Sequence, residues 1–269
     1  MKTTLKTFLL LSLALLANLA QAADCPRIVS QSPYISRALE WMGRGDCIVG
    51  VSRYDRLPLF HTGGVMDPDG AAMADLEPDV VIYSEWTKEE TVQSATPHGV
   101  HAVRVGGFRG MAGVERMLRE VGQAAKVEDI DRRVAGFAAD WRKAAAQVDS
   151  RQRRVLILSA CSDTPYSFGK GSTLYELFSA AGFEVVADHD NIRNFKAGTP
   201  KGDVSAWISQ RQPDVLFALQ DRKSETCNPA IAKPGIPILP LTGEHFTHPG
   251  PELLKGLEEL RQTMAAFGA

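Results

Sequence analysis

The chain has 269 residues and a formal net charge of −2. That balance excludes the basic surface that nucleic acid selects and gives no pull toward an anionic membrane. Apolar residues make up 44% of the chain, enough for one large core or two modest ones, and no stretch is low in complexity.

Lys2 and Lys6 precede an apolar run, Phe8–Leu19, and Ala20-Gln21-Ala22 has the small-x-small form of a cleavage site. Residues 1–22 therefore read as a secretory signal peptide. A membrane anchor is the alternative, but the run is shorter than the ~20 residues a span needs. The mature chain is expected to be exported and soluble.

Four short apolar runs follow, each leading into a helical stretch: Arg27–Ser32, Asp46–Ser52, Leu76–Ser84 and His101–Gly106. The same order returns as Arg154–Ala160, Phe183–Asp188, Arg211–Leu219 and Ile236–Gly243. The third run of each set is opened by a Pro-Asp pair, LEPDVVIYS and RQPDVLFAL. Strands alternating with helices form parallel sheets. The duplication predicts an α/β fold of two Rossmann-like lobes, 23–127 and 150–269, each with a mainly parallel sheet and with a ligand cleft between them. Between the lobes, Ile130, Val134, Phe137 and Trp141 recur at helical spacing. A single linker helix over 128–149 is expected, stiff enough to limit movement of the lobes; a helix covering one lobe is compatible with the same pattern.

Four cysteines in an exported chain suggest disulfides. Cys25 and Cys47 each precede a strand, at the same end of neighbouring parallel strands, which suits the Cα separation of a disulfide. Cys161 and Cys227 follow strands of the second lobe. The expected pairs are Cys25–Cys47 and Cys161–Cys227. A metal site is the alternative, though no C-x2-C or Cys/His spacing supports one.

Five segments carry a family resemblance: Pro26–Pro58, Gly63–Ile82, Ser167–Gly182, Val204–Phe217 and Ile236–Phe246. In their order and spacing the chain resembles the helical-backbone periplasmic binding proteins that deliver cobalamin, ferric siderophores or haem to ABC importers. SRYDRLP, the linker helix and the length look most like the cobalamin-binding branch. The resemblance implies a soluble, monomeric periplasmic protein with no covalent cofactor. Its ligand would be a metal chelate, and its partners the importer's membrane subunits. It implies binding, not catalysis.

In open parallel sheets ligands bind outside the carboxyl ends of the strands. In the first lobe these ends lead to Tyr34, Arg53, Tyr54, Trp86, Phe108 and Arg109; in the second, to Tyr166, His189, Arg193, Arg222 and His245. Aromatic rings offer flat contact to a macrocycle, arginines offer forked donors to anionic oxygens, and a tyrosine or histidine can complete a metal's coordination. The plainer alternative is an aromatic packed at a loop base or a solvated arginine.

Relatives usually carry a docking glutamate on each lobe. Spacing back from Pro78 and Pro213 places Ala71 and Ala206 at those positions, with Asp69 and Asp203 nearby as substitutes. The departure leaves a second reading, a periplasmic ligand carrier that serves no importer. An enzyme using Cys161 with His189 or His245 is the rival from another class, but no nucleophile elbow, H-E-x-x-H or phosphate-cradling loop supports it.

Overall fold

A computed structural model describes residues 25–159, 165–196, 202–220, 229–232 and 234–268. The described chain forms two compact units. The first takes the chain up to Val105 together with Glu120–Glu128; the second takes Gly106–Arg119 and Asp129–Ala269.

The first unit is built on a five-stranded parallel sheet in the order β3-β2-β1-β4-β5. Its strands are β1 (Ile28–Ser30), β2 (Ile48–Val51), β3 (Phe60–His61), β4 (Val80–Ser84) and β5 (His101–Val105). Ile28 lies opposite Ile48 on one side and Val80 on the other. Helix α1 (Pro33–Trp41) follows β1, with Ser32 in extended conformation at its N-cap and Pro33 supplying the fixed φ of a first turn. It buries Tyr34, Ile35, Ala38 and Leu39. Helix α2 (Gly70–Ala74) precedes β4 and α3 (Glu89–Ala95) follows it. Gly70 is required at the start of α2, because a Cβ there would stand 2.6 Å from the carbonyl oxygen of Ala95. Val29, Met73, Val81, Tyr83 and Val92 form a buried cluster in its interior.

Helix α4 (Gly110–Ala124) is followed by α5 (Ile130–Ala146), the helix expected from the 3.6-residue spacing. It buries Ile130, Val134, Phe137, Ala138, Trp141 and Ala145. It groups with the second unit, where it packs on α6 (Thr173–Ala180) and α9 (Glu252–Gly268).

The second unit holds β6 (Arg154–Ser159), β7 (Tyr166–Phe168), β8 (Glu184–Val185), β9 (Ile192–Asn194), β10 (Val215–Gln220) and β11 (Ile238–Thr242), with α7 (Val204–Arg211) before β10 and α8 (Gly243–Thr247) after β11. The order is β11-β10-β6-β7-β9, with β8 also on β6. The start of β6 pairs with β8 in parallel, and its end pairs with β7 antiparallel. Thus β8-β6-β10-β11 repeats the β2-β1-β4-β5 order of the first unit, and β7 and β9 are additions. The core here is aromatic: Phe178 lies 5.2 Å from Phe217 and 5.8 Å from Phe183 and Phe246, centroid to centroid. Edge strand β11 contains Pro240.

The Pro-Asp repeat has a shared physical cause. Arg27 donates from its side chain to the carbonyls of Glu77 and Leu76, while its backbone N–H donates to the Asp79 carboxylate. Arg154 does the same to Gln212 and Arg211, and its N–H donates to Asp214. Each arginine holds a turn whose middle residue is left-handed, Glu77 at φ 45° and Gln212 at φ 47°. Proline then fixes the entry to the strand.

Cys25 and Cys47 are bonded, with Cα atoms 5.6 Å apart at the amino ends of β1 and β2. Cys161, Cys227 and residues 1–22 lie outside the described residues. Among the described residues, no helix is long and apolar enough to cross a membrane.

Candidate functional site

In the first unit the strand order reverses between β1 and β4, the place where open α/β sheets hold ligands. The residues just past the strands there are buried and polar. Gln31 donates from Nε2 to the carbonyls of Thr62 (2.7 Å) and Gly64 (3.3 Å) and accepts from the Thr62 hydroxyl. Ser36 donates to Asp55 at 2.6 Å, and the Thr87 hydroxyl to the carbonyl of Val65 at 2.6 Å. These bonds tie the loops after β1, β2, β3 and β4 to one another. Ser52 Oγ is the buried side-chain polar atom without a partner among the described residues.

On this braced platform stand large apolar side chains left in solvent: Tyr54 is 63% exposed, Met66 72%, Phe60 75% and Trp86 47%. Phe60 opens β3, while Tyr54, Met66 and Trp86 lie in the loops after β2, β3 and β4, and large apolar side chains left in solvent make these loops a candidate interaction surface. Arg53 is ion-paired to Asp67, and its guanidinium lies 5.8 Å from the Tyr54 centroid. Tyr34 sits differently. It is buried, its hydroxyl donates to the Val105 carbonyl at 2.9 Å, and burial pushes its pKa above the ordinary phenol range.

In the second unit Phe108 is half-buried and Arg109 exposed, in the loop ahead of α4. Glu176 accepts from the Met111 N–H at the head of that helix. Tyr166, on β7, meets Phe168 edge-on at 5.4 Å. His189 lies 3.2 Å from the Ser167 hydroxyl, and burial lowers its pKa, which favours the neutral ring. Its neighbour Gly169 has no room for a side chain, since a Cβ would lie 2.0 Å from the His189 carbonyl oxygen.

Arg193 stacks on Phe195 at 5.2 Å and on Trp207 at 5.4 Å. Arg211 covers Trp207 at 4.7 Å and pairs with Asp188, whose carboxyl it holds below the usual range. His245, on α8, places Nδ1 2.8 Å from Glu259 of α9. Arg222 lies outside the described residues.

Asp69 and Asp203 share a role that spacing alone does not reveal. Each is the N-cap of its helix, accepting from Ala72 N–H at 3.1 Å and Ala206 N–H at 2.9 Å. Ala71 and Ala206 are exposed.

Met66 and Phe60 carry no site signal in the sequence, because such residues ordinarily belong to a core. Gln31 and Glu259 carry none either, since they look solvated in a linear pattern. Among the described residues no group of three or more His, Cys, Asp or Glu side chains is placed to hold a bare metal ion.

Residues 28–260 match the family model described as periplasmic binding protein, and the chain belongs to that family, whose members bind substrates and are not enzymes. Solved structures share the fold. The periplasmic haem-binding protein RhuT from Roseiflexus sp. RS-1 matches at 20% identity and a TM-score of 0.74, covering 91% of this chain and all of that one. The periplasmic haem-binding protein HutB of Vibrio cholerae matches at 14% identity and 0.72, covering 88% and 98%. The vitamin B12-binding protein BtuF of Vibrio cholerae matches at 17% identity and 0.66, covering 90% and 97%. No curated protein sequence matches the chain.

Proposed function

We infer that the chain captures a metal chelate, a corrinoid, haem or ferric siderophore, in the periplasm and delivers it to the membrane subunits of an ABC importer. The observation that carries this reading is the set of exposed apolar side chains Tyr54, Met66 and Trp86 on loops braced at the carboxyl ends of β2, β3 and β4. Flat or bulky apolar ligand surface supplies what these side chains lack, and burying one such ring contributes about 1.5–3 kcal/mol. The protein acts as a monomer, with one chelate per chain and no covalent cofactor, after removal of residues 1–22. Absorbance titration with haem, cob(III)alamin and a panel of ferric siderophores tests it. One of them should bind at a single site. Trp86→Ala with Tyr54→Ala should weaken that binding about 10-fold or more, in line with the burial lost. Binding of none, or binding indifferent to both substitutions, refutes the reading.

A second reading, a periplasmic carrier that serves no importer, is favoured by one observation. Ala71 and Ala206 stand exposed where the resemblance implies glutamates, and the nearby Asp69 and Asp203 each spend a carboxylate oxygen on a helix cap. Replacing both aspartates by asparagine keeps a capping oxygen and removes the charge. Uptake should fall while chelate affinity holds if these aspartates meet the importer; unchanged uptake removes them from docking.

A further inference from the structure

Sulfur that an oxidant can reach is confined to one place among the described residues. The chain has seven methionines. Met1 belongs to the expected signal peptide, and Met42, Met73, Met111, Met117 and Met264 are each no more than 3% exposed. Cys25 and Cys47 are bonded to each other. Met66, at 72% exposure, is the one described methionine whose thioether stands in water.

The loop after β3 keeps it there. The Val65 carbonyl accepts from the Thr87 hydroxyl at 2.6 Å, and the Asp67 carbonyl accepts from the Gly64 N–H at 3.1 Å. The Asp67 carboxylate is ion-paired to Arg53. Both chain neighbours of Met66 are thus held, and a backbone turn that carried its side chain inward would break these bonds. An exposed thioether is the one that hydrogen peroxide reaches first. The sulfur lone pair takes one oxygen from the peroxide and the O–O bond breaks. The proton of the transferred hydroxyl passes to the departing hydroxide, so sulfur is oxidised by two electrons and the products are a sulfoxide and water. Phenol and indole rings, such as those of Tyr54 and Trp86, survive peroxide under the same mild conditions. A flexible apolar side chain has become a polar one.

We propose that Met66 is a site of selective oxidation by hydrogen peroxide and that its sulfoxide lowers the affinity of the protein for its chelate. The second half rests on the chelate reading above, which places Met66 in the binding surface, and adds regulation to it. Burying the thioether against an apolar ligand face is favourable. Burying the sulfoxide strips water from its oxygen, and an apolar face has no donor to replace it. Iron chelates turn peroxide into radicals, so a binder that loosens its hold when peroxide is present takes up less of a reactive cargo.

The test treats the mature chain, free of ligand, with hydrogen peroxide, removes the peroxide with catalase and gel filtration, and maps added oxygen by peptide mass spectrometry. Met66 should gain one oxygen atom before Met42, Met73, Met111, Met117 or Met264 does. Treated and untreated protein are then titrated with ferric haem, aquocob(III)alamin and a panel of ferric siderophores, read by absorbance. The chelate that binds should do so about 10-fold more weakly after oxidation, with the melting temperature unchanged. In Met66→Leu, which keeps an apolar side chain but has no sulfur, the affinities before and after peroxide should agree. Oxidation spread evenly over the methionines, or a Met66 that stays reduced, would overturn the assignment whatever the protein binds. Selective oxidation without loss of affinity, or an equal loss in Met66→Leu, would overturn the regulatory half while leaving chelate binding intact. Binding of no chelate by untreated wild type would remove the chelate reading and the regulation that rests on it, and selective oxidation would stand by itself.

Discussion

In the first unit Arg27 grips the turn before β4, and the Cys25–Cys47 bond ties the amino ends of β1 and β2. In the second, Arg154 grips the matching turn before β10, but the start of β6 is joined to β8 through only two residue pairs, Arg154 with Glu184 and Val155 with Val185. The second unit instead places a cluster of phenylalanine rings in its centre, where the cluster around Tyr83 in the first has Val and Met. A repeated local device is thus kept in both halves, while the means of filling the interior has diverged. The turn is constrained by backbone geometry, which few residues satisfy. A core needs only volume and apolarity, which many combinations supply.

That contrast can be broken in steps. Phe217→Ala should have the largest effect. The ring touches both Phe178 and Phe183, and its loss should cost about 3–5 kcal/mol. Hydrogen exchange should rise in β6 and β10, and an unchanged denaturation midpoint would mean that the aromatic cluster is not what holds the second unit.

Replacing both Cys25 and Cys47 by serine comes next. The bond closes a sequence separation of 22 residues, which the chain-entropy account values at about 3 kcal/mol. The loss should appear in exchange of β1 and β2 and leave β6 to β11 unmoved.

Arg27→Ala and Arg154→Ala should cost alike, about 0.5–1.5 kcal/mol each, since each removes hydrogen bonds to turn carbonyls that water can then reach. Clearly unequal costs would show that the clamp is shared in geometry but not in energy.

The smallest effect is electrostatic. Arg211 depresses the pKa of Asp188, so the pair contributes stability above the carboxyl's unfolded pKa of about 3.9, and that contribution is lost as pH falls through the folded value. Asp188 is mostly exposed, which limits the pair to roughly 0–1 kcal/mol. Arg211→Ala should flatten the acid limb of stability slightly, and an unaltered pH profile would assign Arg211 to covering Trp207 alone.

Much of this architecture was legible because its signals are local. Pro78-Asp79 and Pro213-Asp214 announce strand entries, and apolar runs of five or six residues announce the strands. Cys25 and Cys47 could be paired because each immediately precedes one of two neighbouring strands. Strands β3, β7 and β9 were not legible: two or three residues are too few to show a period, and each forms against an edge that the fold supplies, β3 on β2, β7 on β6 and β9 on β7. The exposure of the candidate site residues was legible in part. Tyr54 and Trp86 follow strands and stand exposed, whereas Tyr34, one residue into a helix, turns inward. The roles of Asp69 and Asp203 as caps, and of Glu259 as partner to His245, depend on atoms brought together by turns that spacing alone does not fix.

Pro240 has a consequence of another kind. Along β11 successive residues point their backbone groups alternately toward β10 and away from it. Leu216 donates to the Pro237 carbonyl, which places Ile238, Pro240 and Thr242 on the outward side. Pro240 has no N–H to offer there, and the N–H of Thr242 is already given to Glu259. Of the outward donors along this border, only that of Ile238 is left to recruit a foreign strand. A sheet whose last strand is sealed this way resists growing into its neighbours, so crowding should favour separate molecules over stacked ones.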